Sequence, residues 1–221
     1  MVDFQDDERE EYAIKLFKLI KDKSQGRSGV DAYLELNGKK LPFELKSTSR
    51  GSVTTVRDFG PDHIKKWEDK HWLIGVYEKG NAKYFLYGPP KRMQPWIKEK
   101  ERYILPDFQL AQIMRHKLIL EDLFKILGEK RIYTYNDASR LHKKQYSKEK
   151  YLELMDLKNG YSPERMLEIL KDRAKYLIER GSTLNNPHIP ASYFKEWPHI
   201  TSNHAQTLKN MVKKALTLQR F

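Results

Sequence analysis

The stretch that decides the fold is GVDAYLELNGKKLPFELKS, residues 29–47. It consists of two runs in which apolar and polar side chains alternate, and Asn37-Gly38 separates the runs. Alternation with a period of two is typical of β-strands, and Asn-Gly is a strong signal for a two-residue hairpin turn. The stretch therefore predicts two antiparallel strands, from Asp31 to Leu36 and from Lys39 to Ser47.

Three charged residues of this hairpin are expected to meet on one face. A two-residue turn pairs Leu36 with Lys39 and, further back, Asp31 with Glu44. Paired residues have Cβ atoms about 4.5–5.5 Å apart, so two facing carboxylates need a cation between them. Lys46 lies two residues beyond Glu44 and therefore points to the same face. These three side chains predict a centre that holds a divalent metal ion.

Two observations favour other interpretations of the hairpin. Pro42 lies within the second run, and a proline there is typical of an edge strand or of a bulge that shifts the register. Charged residues on a hairpin are also common on a solvated face without catalytic function. The neighbouring apolar residues Phe43 and Leu45 and the apolar strand from Trp72 to Tyr77 instead indicate a buried sheet, in which charges need a function.

The composition favours a polyanionic partner. The 221 residues include 42 Lys and Arg against 30 Asp and Glu, a formal charge of +12. Basic surfaces attract nucleic acid, although they also serve solubility. Because the chain has no cysteine, a bound metal needs carboxylate, imidazole, carbonyl or water ligands, and oxygen ligands favour Mg²⁺ or Mn²⁺. Without an apolar segment long enough for a bilayer or a secretion-type start, we expect a cytoplasmic protein with no membrane partner.

The remaining sequence predicts an α/β (α+β) fold with a central mixed β-sheet flanked by helices. Helical spacing of apolar residues, β-branched and aromatic runs, and a proline at a helix start define its elements. The expected elements are a helix over 10–22, a helix from Pro61 to Trp67, strands from Trp72 to Tyr77 and from Lys83 to Tyr87, and a last helix from Ser202 to Leu218. The expected divisions are a catalytic core over 1–105, a helical insertion over 106–180, and a DNA-recognition segment with the C-terminal helix over 181–221.

At the hairpin the chain resembles the PD-(D/E)xK nuclease superfamily, and within it the PvuII-like type II restriction endonucleases. The family motif GRxGxDA, a turn and ELKS is similar to GRSGVDA at 26–32 and FELKS at 43–47. A second block, HIKKWEDKHWLIGVYEKG at 63–80, is similar to the family's helix and following strand. A third, LNNPHIP at 184–190, is similar to the segment with which these enzymes read bases in the major groove.

The resemblance implies a restriction-endonuclease-like fold and Mg²⁺-dependent, sequence-specific cleavage of double-stranded DNA that leaves 5′-phosphates. It implies a homodimer acting in a prokaryotic restriction-modification system. Asp31 and Glu44 would ligate Mg²⁺ together with the Leu45 carbonyl, and Lys46 would position or deprotonate the attacking water. Trp67 stands where the family has a tyrosine near the scissile phosphate, and tryptophan lacks that hydroxyl.

Several polar side chains are candidates for DNA contacts. Arginine can bond guanine O6 and N7 together and asparagine suits adenine edges, although both also contact phosphate or form turns. The candidates are Asn185, Asn186, Arg57, Thr55, Ser47 and His188. His63 near the phosphate, and Glu10 or Glu11 as a further metal ligand, are alternatives to the structural roles that such residues commonly have.

Two other functions remain open at this point. A repair or junction-resolving nuclease of the same superfamily would share the metal centre but ignore the base sequence. A DNA-binding protein without catalysis would show no Mg²⁺-dependent nicking and no response to Glu44→Ala. The helical block over 106–180 has no counterpart in the compact family members, and it would serve dimerisation, DNA wrapping or core support.

Overall fold

The computed structural model describes residues 3–21 and 29–218, with side chains from Asp7 onward, and it contains both helices and strands. The first elements are α1 (Asp3–Phe17), β1 (Ala32–Leu36), β2 (Lys39–Thr48), β3 (Val53–Thr54), α2 (Pro61–Trp67), β4 (His71–Glu78) and β5 (Asn81–Gly88). They continue with α3 (Pro90–Lys117), α4 (Leu120–Leu127), α5 (Tyr135–Leu141), α6 (Lys148–Glu153) and α7 (Pro163–Ser182). The last are β6 (His188–Ile189), a 3₁₀ helix (Ala191–Phe194), β7 (His199–Ile200) and α8 (His204–Leu218).

The β1–β2 hairpin has the register that its turn predicts. Asn37 and Gly38 both have positive φ, 52° and 73°, as a two-residue type I′ turn requires. Leu36 pairs with Lys39, and the ladder extends back to Ala32 opposite Phe43 without a shift. Pro42 is accommodated within the ladder, opposite Tyr33, and causes no bulge. β1 begins at Ala32, so Asp31 directly precedes the strand and is not its first residue.

A mixed five-stranded sheet, flanked by helices, forms the centre of the fold. Its strand order is β1-β2-β4-β5-β7, with β2 and β4 parallel and the other neighbours antiparallel. The hairpin strand that carries Glu44 and Lys46 is therefore an interior strand. In the parallel pairing Glu44 lies beside Trp72, and Lys46 lies beside Ile74. These four side chains consequently share one face of the sheet.

The two faces of the sheet are covered by different apolar clusters. On one face Phe43 and Leu45 pack with residues of α1 and α8, among them Phe17 and Leu208. On the other face Trp72, Ile74 and Leu86 pack with Trp67 of α2 and with Met93, Trp96 and Ile97 of α3. Glu44 and Lys46 thus lie on the face that α2 covers.

The chain divides into two compact units, Met1–Glu101 with Leu184–Phe221, and Arg102–Thr183. The second unit has its own core, in which buried residues of α4, α5, α6 and α7, among them Tyr151, pack with Tyr133 and Tyr161 from the loops before α5 and α7. Side-chain caps begin its helices: Thr134 accepts the Asp137 amide, and Ser162 accepts the Arg165 amide. The sheet and the hairpin belong to the first unit.

Two helices differ from the sequence prediction. The first helix spans Asp3–Phe17 instead of 10–22, and the end of the predicted span lies outside the described residues. α3 begins at Pro90, where a proline fits the first turn, and it continues through Pro106, the residue predicted to start the helical insertion. Each proline beyond the first turn, Pro95 and Pro106, removes one backbone hydrogen bond, and the other bonds of this 28-residue helix maintain it. Within the described chain, no helix has the length and apolarity to span a membrane.

Candidate active site

The hairpin brings the three predicted catalytic residues together. Asp31 Oδ2 accepts a hydrogen bond of 2.8 Å from the backbone amide of Leu45, which fixes the aspartate against the opposite strand. Lys46 Nζ donates to Glu44 Oε1 at 2.7 Å. Glu44 is buried, with 2% of its surface exposed, so its carboxylate lies inside the fold and not on a solvated face. The interpretation of these residues as a surface charge pair is therefore not supported.

Lys70 is a fourth charged residue at this centre, and no sequence motif indicated it. Its Nζ donates to Glu44 Oε2 at 2.5 Å, and only 1% of the residue is exposed. Lys70 directly precedes β4, the parallel neighbour of β2, which explains how it reaches Glu44. Both oxygens of the Glu44 carboxylate therefore bind ammonium groups, Lys46 on one side and Lys70 on the other.

The electrostatics of the centre follow from burial and charge pairing. Burial raises the pKa of the Asp31 carboxyl, and the nearby Glu44 charge raises it further. Burial also opposes ionisation of Glu44, but the positive charges and hydrogen bonds of Lys46 and Lys70 outweigh it and lower the pKa to about 2. Burial acts to lower the pKa of Lys46, whereas the charges of Glu44 and Asp31 raise it above its ordinary value. The two carboxylates thus repel each other, and the lysine charges, together with the Leu45 amide that bonds Asp31, oppose this repulsion.

Helix α2 places two further basic side chains near the carboxylates. His63 is half-buried, and burial and the charge of Lys66 lower its pKa, while the Glu44 charge acts in the opposite direction. Burial and the charge of Lys70 lower the pKa of Lys66. Both residues lie on a helix of seven residues that leads to Lys70. His63 therefore lies close enough to Glu44 to sense its charge, and its role near a phosphate stays a prediction.

A cleft of about 610 Å³ opens beside the centre. Its lining includes Lys46 and Ser47 of β2, together with Thr54, Thr55 and His188. Arg50 and Arg9 also line it. Arg9 Nη1 donates to Ser47 Oγ at 3.4 Å, and Arg9 Cζ lies 4.5 Å from the centre of the Tyr77 ring. The cleft therefore joins a catalytic candidate, Lys46, to three of the residues predicted to contact DNA.

The predicted recognition segment lies against the loop that follows β2. β6 pairs with β3, so His188 is opposite Thr54, and their side chains are 3.3 Å apart. Thr55 Oγ1 donates to the Pro187 carbonyl at 2.6 Å. The backbone nitrogen of Asn186 donates to the Val56 carbonyl at 3.0 Å. In the side chain, Asn186 Nδ2 donates to Asn185 Oδ1 at 3.1 Å. More than 130 residues apart in sequence, the two segments form one surface.

The remaining predicted residues have varied positions. Arg57 is exposed in the same loop and Asn185 is exposed beside it, so both side chains are accessible to a ligand. Glu10 lines the cleft and forms an ion pair with Lys21 at 2.9 Å, whereas Glu11 is exposed. The first three residues of the GRSGVDA motif, 26–28, lie outside the described residues.

Trp67 does not take the place of a catalytic tyrosine. It is fully buried and contacts Trp72 edge-on, with ring centroids 5.0 Å apart. Phe59 and Trp96 complete its surroundings, at 5.4 and 6.3 Å between centroids. The residue supports the core beneath the site and has no access to the cleft.

The available ligands fit a hard divalent cation that takes few ligands from the protein and keeps several waters. Asp31 and Glu44 supply carboxylate oxygens, the ligands that Mg²⁺ prefers, and water commonly fills its other positions. In the described part of the chain no three His, Asp or Glu side chains cluster, so further protein ligands there would be carbonyl oxygens such as that of Leu45. A cation between the carboxylates would also relieve their mutual repulsion.

No protein-family profile matches the chain, and no curated protein is significantly similar to it in sequence.

Proposed function

We propose that this protein is a Mg²⁺-dependent endonuclease of the PD-(D/E)xK type that cleaves double-stranded DNA at a specific sequence. The observation that carries the proposal is a pair of carboxylates, the half-buried Asp31 and the buried Glu44, held beside Lys46 on one hairpin. The sheet that contains this hairpin is mixed and flanked by helices, which is compatible with a restriction-endonuclease-like fold. The charge of +12 supports a polyanionic substrate.

The residues of the centre suit phosphodiester hydrolysis. When bound, Mg²⁺ supplies charge neutralisation at the phosphate and lowers the pKa of a water. Asp31 and Glu44 would hold the ion with the Leu45 carbonyl. Lys46 is partly exposed, with 18% of its side chain accessible, so its ammonium is able to contact a scissile phosphate or orient a water at the cleft. Its ion pair with Glu44 fixes the direction from which it does so.

The recognition surface would read bases from the side of the same cleft. Arg57, Thr55, Asn185, Asn186 and His188 extend from two loops that β3 and β6 hold together. Loops on a rigid scaffold are a common location for residues that contact bases. A palindromic duplex would be cut by a homodimer, with one active site on each strand.

Cleavage of phage DNA in the presence of Mg²⁺ tests the proposal directly. We expect discrete fragments whose sequenced ends share one motif and carry 5′-phosphates, and no products in EDTA. A smear with random ends would instead identify a sequence-independent nuclease with the same centre. Intact DNA with every divalent cation tried, together with a gel shift, would identify a binding protein without catalysis.

Removing the Asn186 amide is expected to reduce sequence discrimination. Asn186 has φ of 50°, a conformation that glycine also adopts without strain, so Asn186→Gly removes the amide and keeps the backbone. We expect the preference for the cognate site over a singly changed site to fall by about 1–3 kcal/mol. Cleavage rates on both sites measure this. Asn203→Gly is a matched control, since Asn203 has φ of 47° and directly precedes α8, away from the 184–190 stretch that is proposed to read bases.

An equal loss of cleavage on cognate and changed sites would contradict the assignment of Asn186 to base recognition. It would place the side chain on the DNA backbone, because phosphate contacts carry no sequence information.

A further inference from the structure

Lys70 is a buried amine for which the proposed chemistry has no use. Its side chain is 2% exposed, so it does not reach a phosphate in the cleft as Lys46 does. Its ammonium is paired with Glu44 Oε2, and it occupies a carboxylate oxygen that a metal ion would need. A lysine is rarely buried unless it is paired, and this one is paired with a proposed metal ligand.

The formal charges of the centre show what Lys70 changes. Asp31, Glu44 and Lys46 together carry a net charge of −1, which attracts a divalent cation. With Lys70 included, the formal charge is zero. At distances of a few ångströms inside a protein, one unit charge alters the binding of a second charge strongly, because screening by solvent is weak.

We infer that Lys70 is a positioning residue that acts as a built-in counter-cation: it pairs with Glu44 when no metal is bound and competes with the divalent ion for that carboxylate. The inference rests on the proposed function, since it takes Glu44 as a metal ligand. It explains how the buried Glu44 carboxylate persists beside the half-buried Asp31 before a metal arrives, and it implies weak metal binding by the protein alone. A phosphate group of DNA, which adds negative charge and oxygen ligands, would then favour metal entry.

Isothermal titration calorimetry of the DNA-free protein with Mn²⁺ tests this role, because it measures the affinity for the ion directly. Lys70→Gln keeps a hydrogen-bond donor to Glu44 but removes the charge, and we expect it to bind Mn²⁺ roughly tenfold or more tightly than the wild type. Lys70→Arg keeps the charge and should bind as weakly as the wild type. Lys65→Gln removes an equal charge from an exposed position on α2 and should leave the affinity unchanged.

The direction of the effect separates this role from a purely structural one. Damage to the centre would weaken Mn²⁺ binding, whereas removal of a competing cation strengthens it. Should Lys70→Gln lose its circular dichroism spectrum, Lys70→Met replaces it in the titration, since its apolar stem fits the same space. Unfolding of both uncharged variants would overturn the inference, because the amine would then be required for the fold.

The outcomes also distinguish this inference from the proposed function. Equal Mn²⁺ affinity of the wild type and Lys70→Gln, with wild-type cleavage of DNA intact, refutes the counter-cation role alone. Unchanged Mn²⁺ binding in Asp31→Asn, with no cleavage by the wild type, refutes the metal-dependent nuclease and the inference together.

Discussion

Asp31→Asn is expected to abolish DNA cleavage and leave the fold intact. The substitution removes one of the two carboxylate charges that would hold the metal, and the phosphodiester bond would lose the associated charge neutralisation. We expect the cleavage rate to fall by roughly a thousandfold or more, which corresponds to about 4 kcal/mol. The asparagine oxygen remains able to accept the Leu45 amide that now bonds Asp31 Oδ2, so the hairpin should keep its register.

Supercoiled plasmid in Mg²⁺ provides the measurement, because nicking of either strand is visible on a gel. Glu35→Gln is the matched control: Glu35 lies on the adjacent strand β1, is exposed, and loses the same charge. The control should cut at the wild-type rate. Binding of both variants to DNA should be measurable by gel shift in Ca²⁺.

Full activity of Asp31→Asn would contradict the assignment of Asp31 as a metal ligand, and with it the proposed metal centre on the hairpin. Loss of DNA binding together with cleavage would also argue against a catalytic role, because Asp31 would then be needed to hold the DNA or the structure.

The parts of the site that the sequence predicts are those encoded by local pattern. The Asn37-Gly38 turn permits positive φ at both positions, and this fixes the pairing of Ala32 with Phe43. From that register, alternation alone places Glu44 and Lys46 on one face. Because proline lacks an amide hydrogen, Pro42 was a possible site of a bulge. No bulge forms there, since Pro42 lies opposite Tyr33 and the register continues without a shift.

The parts that it does not predict depend on pairings between distant segments. Lys70 reaches Glu44 only because β4 lies parallel to β2, and no spacing within the chain reveals that pairing. The contact of Thr54 with His188 likewise requires β3 to meet β6. Arg9 was not singled out either, since its contact with Ser47 depends on how α1 lies on the sheet. Side chains of these types were visible, but their partners were set by the tertiary fold.

The helical region is predicted in part. The expected division at 105/106 lies close to the boundary of the two compact units, at Glu101 and Arg102, but the helix expected from Pro106 begins earlier, at Pro90, and continues through Pro106. A proline disturbs only the hydrogen bond that its own nitrogen would make and its contact with the preceding turn. In a helix of this length, the remaining bonds maintain the structure.

His71 is expected to make the protein less stable in mild acid. The residue is 3% exposed, and burial lowers its pKa from 6.5 to about 4. Between these values the unfolded chain binds a proton that the folded protein does not, so stability is lost as the pH falls from 6.5 towards 4. Between pH 7.5 and pH 5 we expect His71 to account for a decrease of about 2 kcal/mol in the free energy of unfolding.

Urea denaturation at these two pH values measures the decrease, and His71→Gln should reduce it. Glutamine remains uncharged at both values and keeps a polar group near the Tyr87 hydroxyl, which now lies 2.9 Å from His71 Nδ1. His199→Gln is the control, because His199 is exposed and its ring stacks on Tyr84 at the sheet edge. Stopping at pH 5 keeps Glu44 ionised, since its pKa lies near 2, and so separates the histidine from that carboxylate. If the free energy of unfolding of His71→Gln fell as much between pH 7.5 and pH 5 as that of the wild type, the pKa of His71 would not be lowered by the fold. The imidazole would then be protonated at pH 5 in the folded protein, and Tyr87 and Phe43 would enclose a cation and not a neutral ring.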